Sequence, residues 1–310
     1  NIPVQPIIGE VTIPQSEAEY TAGRRIKDEL TALGLQEVLT YSFYGTELMK
    51  TVGYEQNGEH VEIQNPLSED LRYLRVSLIP RMLEVVKRND SAPRVDIFEV
   101  GHVYTPSNEA RQIGVVVRDV DAVRIVRGIV ESLLAQESVP FVTEKIAATV
   151  DCPFWNLYQG KQALRYAVDN PNNGDVAPDA VLGTLGSVSP KVLQRMGISG
   201  TVAFATLSLP NMLKYGAREQ KGLAAISPYP AVDIDVSLLL GNDVAWGDVE
   251  QVIRSHAGDQ LKSLSVVDVY RGERVDSDKK SVTCRIVLQS QSETLEMKTI
   301  ELWRESLMRD

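Results

Sequence analysis

The sequence predicts an α+β protein of two domains, on three observations. The chain has 310 residues, against roughly 100–200 for an ordinary domain. Helical apolar stripes and strand-like runs succeed one another along it. The pattern then changes across residues 208–227, of which 216–226 are mostly small and charged. Hydrophobic residues make up 43% and charged residues 24%, so a packed core is expected rather than disorder.

Residues 1–15 carry Pro3, Pro6 and Pro14 and read as an extended linker. Asn1 is not Met, which suggests an internal piece of a longer chain, and no signal peptide is evident. Ser16 and Glu19 fit a capping box opening the first helix. Ile26, Leu30 and Leu33 form its stripe, and Gly34 is placed to end it. Residues 35–43 read as a strand, 46–52 as a short helix and 60–64 as a short strand. Asn65-Pro66 forces a turn. Residues 69–79 read as mostly helical, with Pro80 accepted in the first turn of a new helix, 81–88.

Residues 95–104 and 112–117 look like strands, and 122–136 like a helix with Val123, Val126, Val130 and Leu134 on one side. Residues 169–179 are a turn-rich hairpin tip. Then 180–188, 189–196 and 201–207 read strand, helix, strand, and 211–215 close a short helix. These elements place a first domain at 16–215 and a linker at 216–227.

The second domain, 228–310, opens with Val232, Ile234, Val236 and Leu238 alternating with Asp233, Asp235 and Ser237, a strand with one buried face. A helix at 246–256 follows, with Val249, Val252 and Ile253 inward. Strands at 261–270 and 282–288 come next, then a helix at 295–308 with Ile300, Trp303 and Leu307 on one side. The order β-α-β-β-α is the split βαβ, ferredoxin-like arrangement without an obvious last strand.

Composition narrows function. The net charge is −10, with 32 basic and 42 acidic residues. That disfavours a general polyanion-coating protein and leaves room for a local basic patch. The apolar runs fall far short of the ~20 residues of a membrane span. Cys152, Cys284, His60, His102 and His256 form no zinc spacing and suit a reducing cytosol. No glycine-x-glycine phosphate loop, G-K-[ST] or G-x-S-x-G elbow occurs. Gly183-Thr184-Leu185-Gly186 and Gly197-Ile198-Ser199-Gly200 have the form of RNA-clamping GXXG loops, but ordinary turns explain them more simply. Glu69 and Asp70 read as a solvated helix start, His102 as a satisfied strand histidine and Cys284 as a small core residue. No catalytic residue and no metal ligand is assigned.

Residues 65–89 are the most informative stretch. They join the Asn-Pro turn to an expected helix with Arg72 and Arg75 on one face and Leu71, Leu74 and Leu78 beside them. On pattern alone, a solvated structural helix and a functional surface fit equally.

Here the chain resembles the β subunit of phenylalanyl-tRNA synthetase. Asn65-Pro66-Leu67-Ser68-Glu69-Asp70 is similar to that family's N-P-L-S-x-[ED] turn, and Leu74-Arg75-Val76-Ser77-Leu78-Ile79-Pro80 to its L-R-x-S-L-[LI]-P. Ile97-Phe98-Glu99-Val100-Gly101-His102-Val103-Tyr104 resembles its F-E-[IV]-G strand, and Gly183 to Pro190 its G-x-[IL]-G-x-[LV]-x-P segment. In the tail, Ser227-Pro228-Tyr229-Pro230-Ala231-Val232, Asp268-Val269-Tyr270-Arg271-Gly272 and Lys279-Lys280-Ser281 resemble the ferredoxin-fold anticodon-binding domain.

The resemblance implies a fold and a role. A class II synthetase-like antiparallel sheet with flanking helices, lacking the catalytic motifs, would precede a ferredoxin-like βαββα(β) domain. The α subunit would carry the chemistry, using ATP and Mg2+, in a cytoplasmic (αβ)2 assembly. This chain would bind no cofactor. Asn65, Pro66, Leu71, Arg72, Leu74, Arg75, Leu78 and Pro80 would face the α subunit. The tail would approach tRNA(Phe) with Tyr229, Tyr270, Arg271, Arg274, Lys279, Lys280 and Arg285. Residues 228–310 hold 15 acidic and 10 basic side chains, net −5. Half of those cations are the five just named, so a phosphate contact and a solvated hairpin tip fit equally on charge.

Three departures qualify the resemblance. The family's P-G-[RK]-x-A stretch is replaced by residues 153–163, so no role transfers to it. Ile234 stands where an Arg usually precedes the first-strand Asp. Little room for a closing strand remains beyond 306–309, and an abbreviated tail is expected. The alternative reading is a stand-alone or regulatory RNA-binding paralogue without synthetase activity.

Overall fold

The computed structural model describes all residues except 1–17, 55–59, 148–154, 169–179, 217–226, 273–274, 296–306 and 308–310. The chain divides into two compact units, Asn1–Gln220 and Lys221–Asp310.

In the first unit, helix α1 (Ala18–Ala32) buries Ile26 and Leu30, while Leu33 is exposed. It ends at Gly34, whose φ of 91° is the left-handed conformation glycine tolerates. The capping box falls outside the described residues. The expected strand at 35–43 is two short pieces, β1 (Gln36–Glu37) and β2 (Phe43–Tyr44), interrupted where Thr40 turns its polar atoms inward. Helix α2 spans Thr46–Thr51.

The expected helix at 69–79 is not formed. Glu69–Leu71 make a 3-10 turn and Tyr73–Leu74 make strand β3. The backbone here finds extended partners on both sides. Phe43 pairs with Leu74 and Tyr44 with Tyr73, Ile63 N–H donates to Arg72 O, and Tyr104 N–H donates to Arg75 O at 2.8 Å. Tertiary pairing overrides local propensity. Three residues apart on an extended chain point to opposite sides, so Arg72 and Arg75 part company and the Leu71/Leu74/Leu78 stripe is lost. Helix α3 (Ile79–Arg88) then starts with Pro80 in its first turn, as expected.

Strands β4 (Val95–Thr105) and β5 (Asn108–Arg118) form a hairpin, followed by α4 (Ala122–Gln136). Strands β6 (Phe141–Ala147) and β7 (Gln162–Val168) carry little strand signal, with charged and small residues spread through both. Strand β8 (Val181–Ser187), helix α5 (Pro190–Met196), strand β9 (Val202–Ser208) and helix α6 (Leu209–Tyr215) complete the unit. The sheet order is β1-β4-β5-β9-β8-β7-β6, antiparallel except for β1 beside β4.

Alternation along the central strands feeds two cores. Ile97, Val116 and Phe204 pack with Leu83 and Val86 of α3. Their neighbours Phe98, Val115, Val117 and Ala203 pack with Ile26 of α1 and Val126 and Val130 of α4. Strands covered on both faces read as continuous apolar runs, which is why 115–117 is Val-Val-Val. Each fully buried side chain of this size contributes about 1.5–3 kcal/mol.

In the second unit, β10 (Val232–Gly241), α7 (Trp246–Ala257), β11 (Leu261–Tyr270) and β12 (Lys279–Leu288) follow the expected order. The described sheet runs β10-β12-β11. Cys284, Ile286 and Leu288 are buried with Val249 and Ile253, while Val252 is exposed. The expected helix at 295–308 lies almost wholly outside the described residues.

Candidate subunit and nucleic-acid interfaces

Arg75 lies inside the protein, 3% exposed. Its Nη1 donates to Glu99 Oε1 at 2.8 Å and to Thr40 Oγ1 at 2.9 Å, and its Nε donates to His102 O at 2.8 Å. Glu99, 1% exposed, also accepts from the Thr40 hydroxyl at 2.7 Å. Gly101 leaves room for this: a Cβ there would lie 2.4 Å from Arg75 Nη2. The L-R-x-S-L and F-E-x-G segments are thus two halves of one buried ion pair. The sequence signal for it was Glu99 standing alone in the apolar run from Ile97 to Val100. Arg75 is therefore a supporting residue within the fold and does not itself present a surface.

The other residues of that region divide. Leu78 and Pro80 are buried, Leu71 and Leu74 half-buried, and Asn65 is exposed in the turn with Pro66 beside it. Arg72 is paired with Glu62 at 2.8 Å and Glu69 at 2.9 Å, and these carboxylates hold its guanidinium above the usual range. The apolar side chains that do face outward are ones the sequence did not single out: Leu67 at 96% exposure, Leu39 at 82% and Tyr41 at 72%.

Nearby, His60 sits among the rings of Tyr44, Tyr54 and Tyr73. Tyr44 accepts from Val76 N–H, and its hydroxyl lies 2.5 Å from His60 Nε2. Burial pulls His60 down to about 4 and pushes Tyr44 up beyond its usual range.

In the tail, the expected cationic cluster is spread over two faces and several partners. Lys280 turns to the helix side, where Nζ donates to Asn242 O at 3.2 Å and Val244 O at 2.6 Å. Lys279, opposite Gly241 on the next pleat, pairs with Asp276 at 3.0 Å. Arg285 stands mid-strand and bonds both oxygens of Asp235 across the ladder at 2.8 Å, which holds that carboxyl below its ordinary value. Arg271 is exposed, and Arg274 lies outside the described residues. Tyr270 ends β11 beside Ser281 on the open face, with its hydroxyl over Gly272, where a Cβ would lie 2.6 Å away. Tyr229 is half-buried, and its carbonyl accepts from Gln289 at 2.7 Å.

The glycine motifs have internal uses. Gly183 packs against Thr206 O. Gly197 and Gly200 have φ of 67° and 80°. Between them, Ser199 N–H and Oγ donate to the Asp90 carboxylate at 2.9 and 3.0 Å, so a carboxylate already fills that loop. Within the departing segment 153–163, Leu157 and Tyr158 are core residues, and Tyr158 OH is 2.7 Å from Thr184 Oγ1. Among the described residues no group of His, Cys, Asp and Glu could hold a metal, and no helix is long and apolar enough to cross a membrane.

A mixed α+β chain with a large antiparallel sheet flanked by helices has the architecture of a class II synthetase core. It superposes on pyrrolysyl-tRNA synthetase from Desulfitobacterium hafniense with a TM-score of 0.50, 11% identity, covering 66% of this chain and 71% of that one. Residues 2–209 match the phenylalanyl tRNA synthetase beta chain CLM domain, and 227–310 the ferredoxin-fold anticodon binding domain. The chain belongs to the phenylalanyl-tRNA synthetase β-chain family. It is 29% identical to the phenylalanine–tRNA ligase beta subunit of Carboxydothermus hydrogenoformans, over 95% of this chain and 38% of the relative. Against that of Clostridium tetani it is also 29% identical, over 87% and 34%. It thus spans little more than a third of these relatives.

Proposed function

We propose that this chain is the scaffolding and tRNA-recognising part of a cytoplasmic phenylalanine–tRNA ligase β subunit. It docks on the α subunit within an (αβ)2 assembly, and α carries the ATP- and Mg2+-dependent chemistry. The chain alone is non-catalytic. The observation that carries this is the double coverage of the large sheet. Val115 to Val117 and Ala203 to Phe204 are buried alternately on opposite faces by the protein's own helices. A substrate cleft needs an open concave face with convergent polar groups.

In the tail, Arg271 and Lys279 offer phosphate contacts, and Tyr270 offers a ring for base stacking. The decisive experiment is Phe-dependent ATP–pyrophosphate exchange by the pure chain, by the α subunit and by the two together. Exchange by this chain alone sinks the reading.

A further inference from the structure

We propose that His102 is a pH-sensitive latch between the β4–β5 hairpin and helix α1: uncharged, it holds Arg111 against the first turn of α1, and charged, it lets that arginine go.

His102 on β4 lies directly opposite Arg111 on β5. Its Nδ1 is bonded to Glu109 Oε1, and its Nε2 accepts from Arg111 Nε at 3.1 Å. These partners assign the tautomer. An ionised carboxylate only accepts and a guanidinium only donates, so the hydrogen sits on Nδ1 and Nε2 offers its lone pair. The ring is neutral, with no place for a second proton while Arg111 is bonded. Arg111 reaches α1 with its other end. Its Nη1 donates to Glu19 O at 3.4 Å and lies against Gly23, where a Cβ would be 3.3 Å away. The first turn of a helix is the positive end of its dipole and does not attract a cation. Arg111 is held there by two acceptors, His102 Nε2 and the Glu19 carbonyl, and not by the field of the helix.

The groups that face the ring are Glu109 and Arg111 of β5, Tyr104 of its own strand and, through Arg111, Glu19 of α1. The side chain is 41% exposed, so a proton from solvent reaches it. Placed on Nε2, that proton points at the Arg111 Nε–H: donor meets donor, and cation meets cation. Glu109 keeps the charged ring, and Arg111 loses an acceptor. The His102 carbonyl meanwhile stays bonded to buried Arg75, so the strand keeps its place while the side chains change partners. Ile26 and Leu30 hold the rest of α1 in the core, which confines the effect to its first turns. Histidine is the side chain that changes charge between about pH 5 and 8. Acid therefore opens this contact, and alkali restores it.

The test is amide exchange of the full chain, corrected for intrinsic rates, together with nitrogen NMR of the His102 ring. At about pH 8 the ring should carry its hydrogen on Nδ1. Between about pH 8 and about pH 5, protection of the amides of residues 22–25, the first hydrogen-bonded ones of α1, should fall roughly two- to tenfold, the scale of one hydrogen bond. His102→Gln keeps a neutral acceptor that cannot charge, and should remove this pH dependence. His102→Lys, a permanent cation, should show the acid level of protection already at the alkaline end. His60 is unchanged in every variant, so its own response to acid cancels in the comparison. A hydrogen on Nε2 at the alkaline end, protection indifferent to pH in the parent, or parent-like alkaline protection in His102→Lys overturns the latch. Undiminished pH dependence in His102→Gln overturns His102 as its sensor.

Discussion

Gly101 passes so close to Arg75 that any side chain would collide with the guanidinium, at 2.4 Å from a Cβ. Gly101→Ala should therefore overpack the site. We expect a loss of about 1–3 kcal/mol, read from urea midpoints. A midpoint equal to the parent's would show that Arg75 can yield without cost.

Arg75→Met tests the pair itself. It strands a buried carboxylate at Glu99, which should cost about 3–5 kcal/mol. The double variant Arg75→Met/Glu99→Gln should recover much of that loss. No recovery in the double-mutant cycle would mean that the lost stability came from packing, not from the uncompensated charge.

His60 predicts an acid dependence with a definite sign. Its pKa falls from 6.5 to about 4 on folding. Between those values the unfolded chain holds more protons, so stability rises with pH there and is lost as pH drops from 6.5 toward 4. His60→Gln should flatten this window. Urea midpoints between pH 4 and 7 with equal slopes in both proteins would rule the histidine out.

The two adjacent tail lysines should behave differently. Lys280 caps the carbonyls of Asn242 and Val244, so Lys280→Ala should lower the melting temperature. Lys279→Ala should leave stability nearly unchanged and weaken tRNA binding. If Lys279 contacts one phosphate, the slope of log K against log salt should flatten by about 0.7–0.9. An unchanged slope removes Lys279 from the interface.

Tyr270→Ala addresses stacking without charge. If a base lies on the ring, affinity should fall by about 1–3 kcal/mol with the salt slope preserved. Parent-like affinity in the whole ligase would exclude that role.

Much of the fold was legible because its signals are local. The stripe of α4 and the alternation of β10 and β12 need only their own residues to be read. Residues 72–76 were misread because what holds them extended lies elsewhere: Ser42, Val61 and Tyr104 supply their backbone partners. The same remoteness hid the fate of the charges. Nothing near Arg75 in sequence announces Glu99, and nothing near Arg285 announces Asp235. The sequence places five of the tail's ten cations close together, but only the ladder register shows that Lys279 and Lys280 face opposite ways.

The pairing of β5 with β9 joins Val116 to Phe204 in the middle of the large sheet. During synthesis the β4–β5 hairpin leaves the ribosome well before β9 exists. Until then, one side of β5 is an open template of valines with its hydrogen bonds unmade. Long-range closures of this kind are slow and leave sticky edges exposed meanwhile. A nascent chain halted between α4 and β9 should therefore be a strong client for chaperones, and the arrival of β9 should release it.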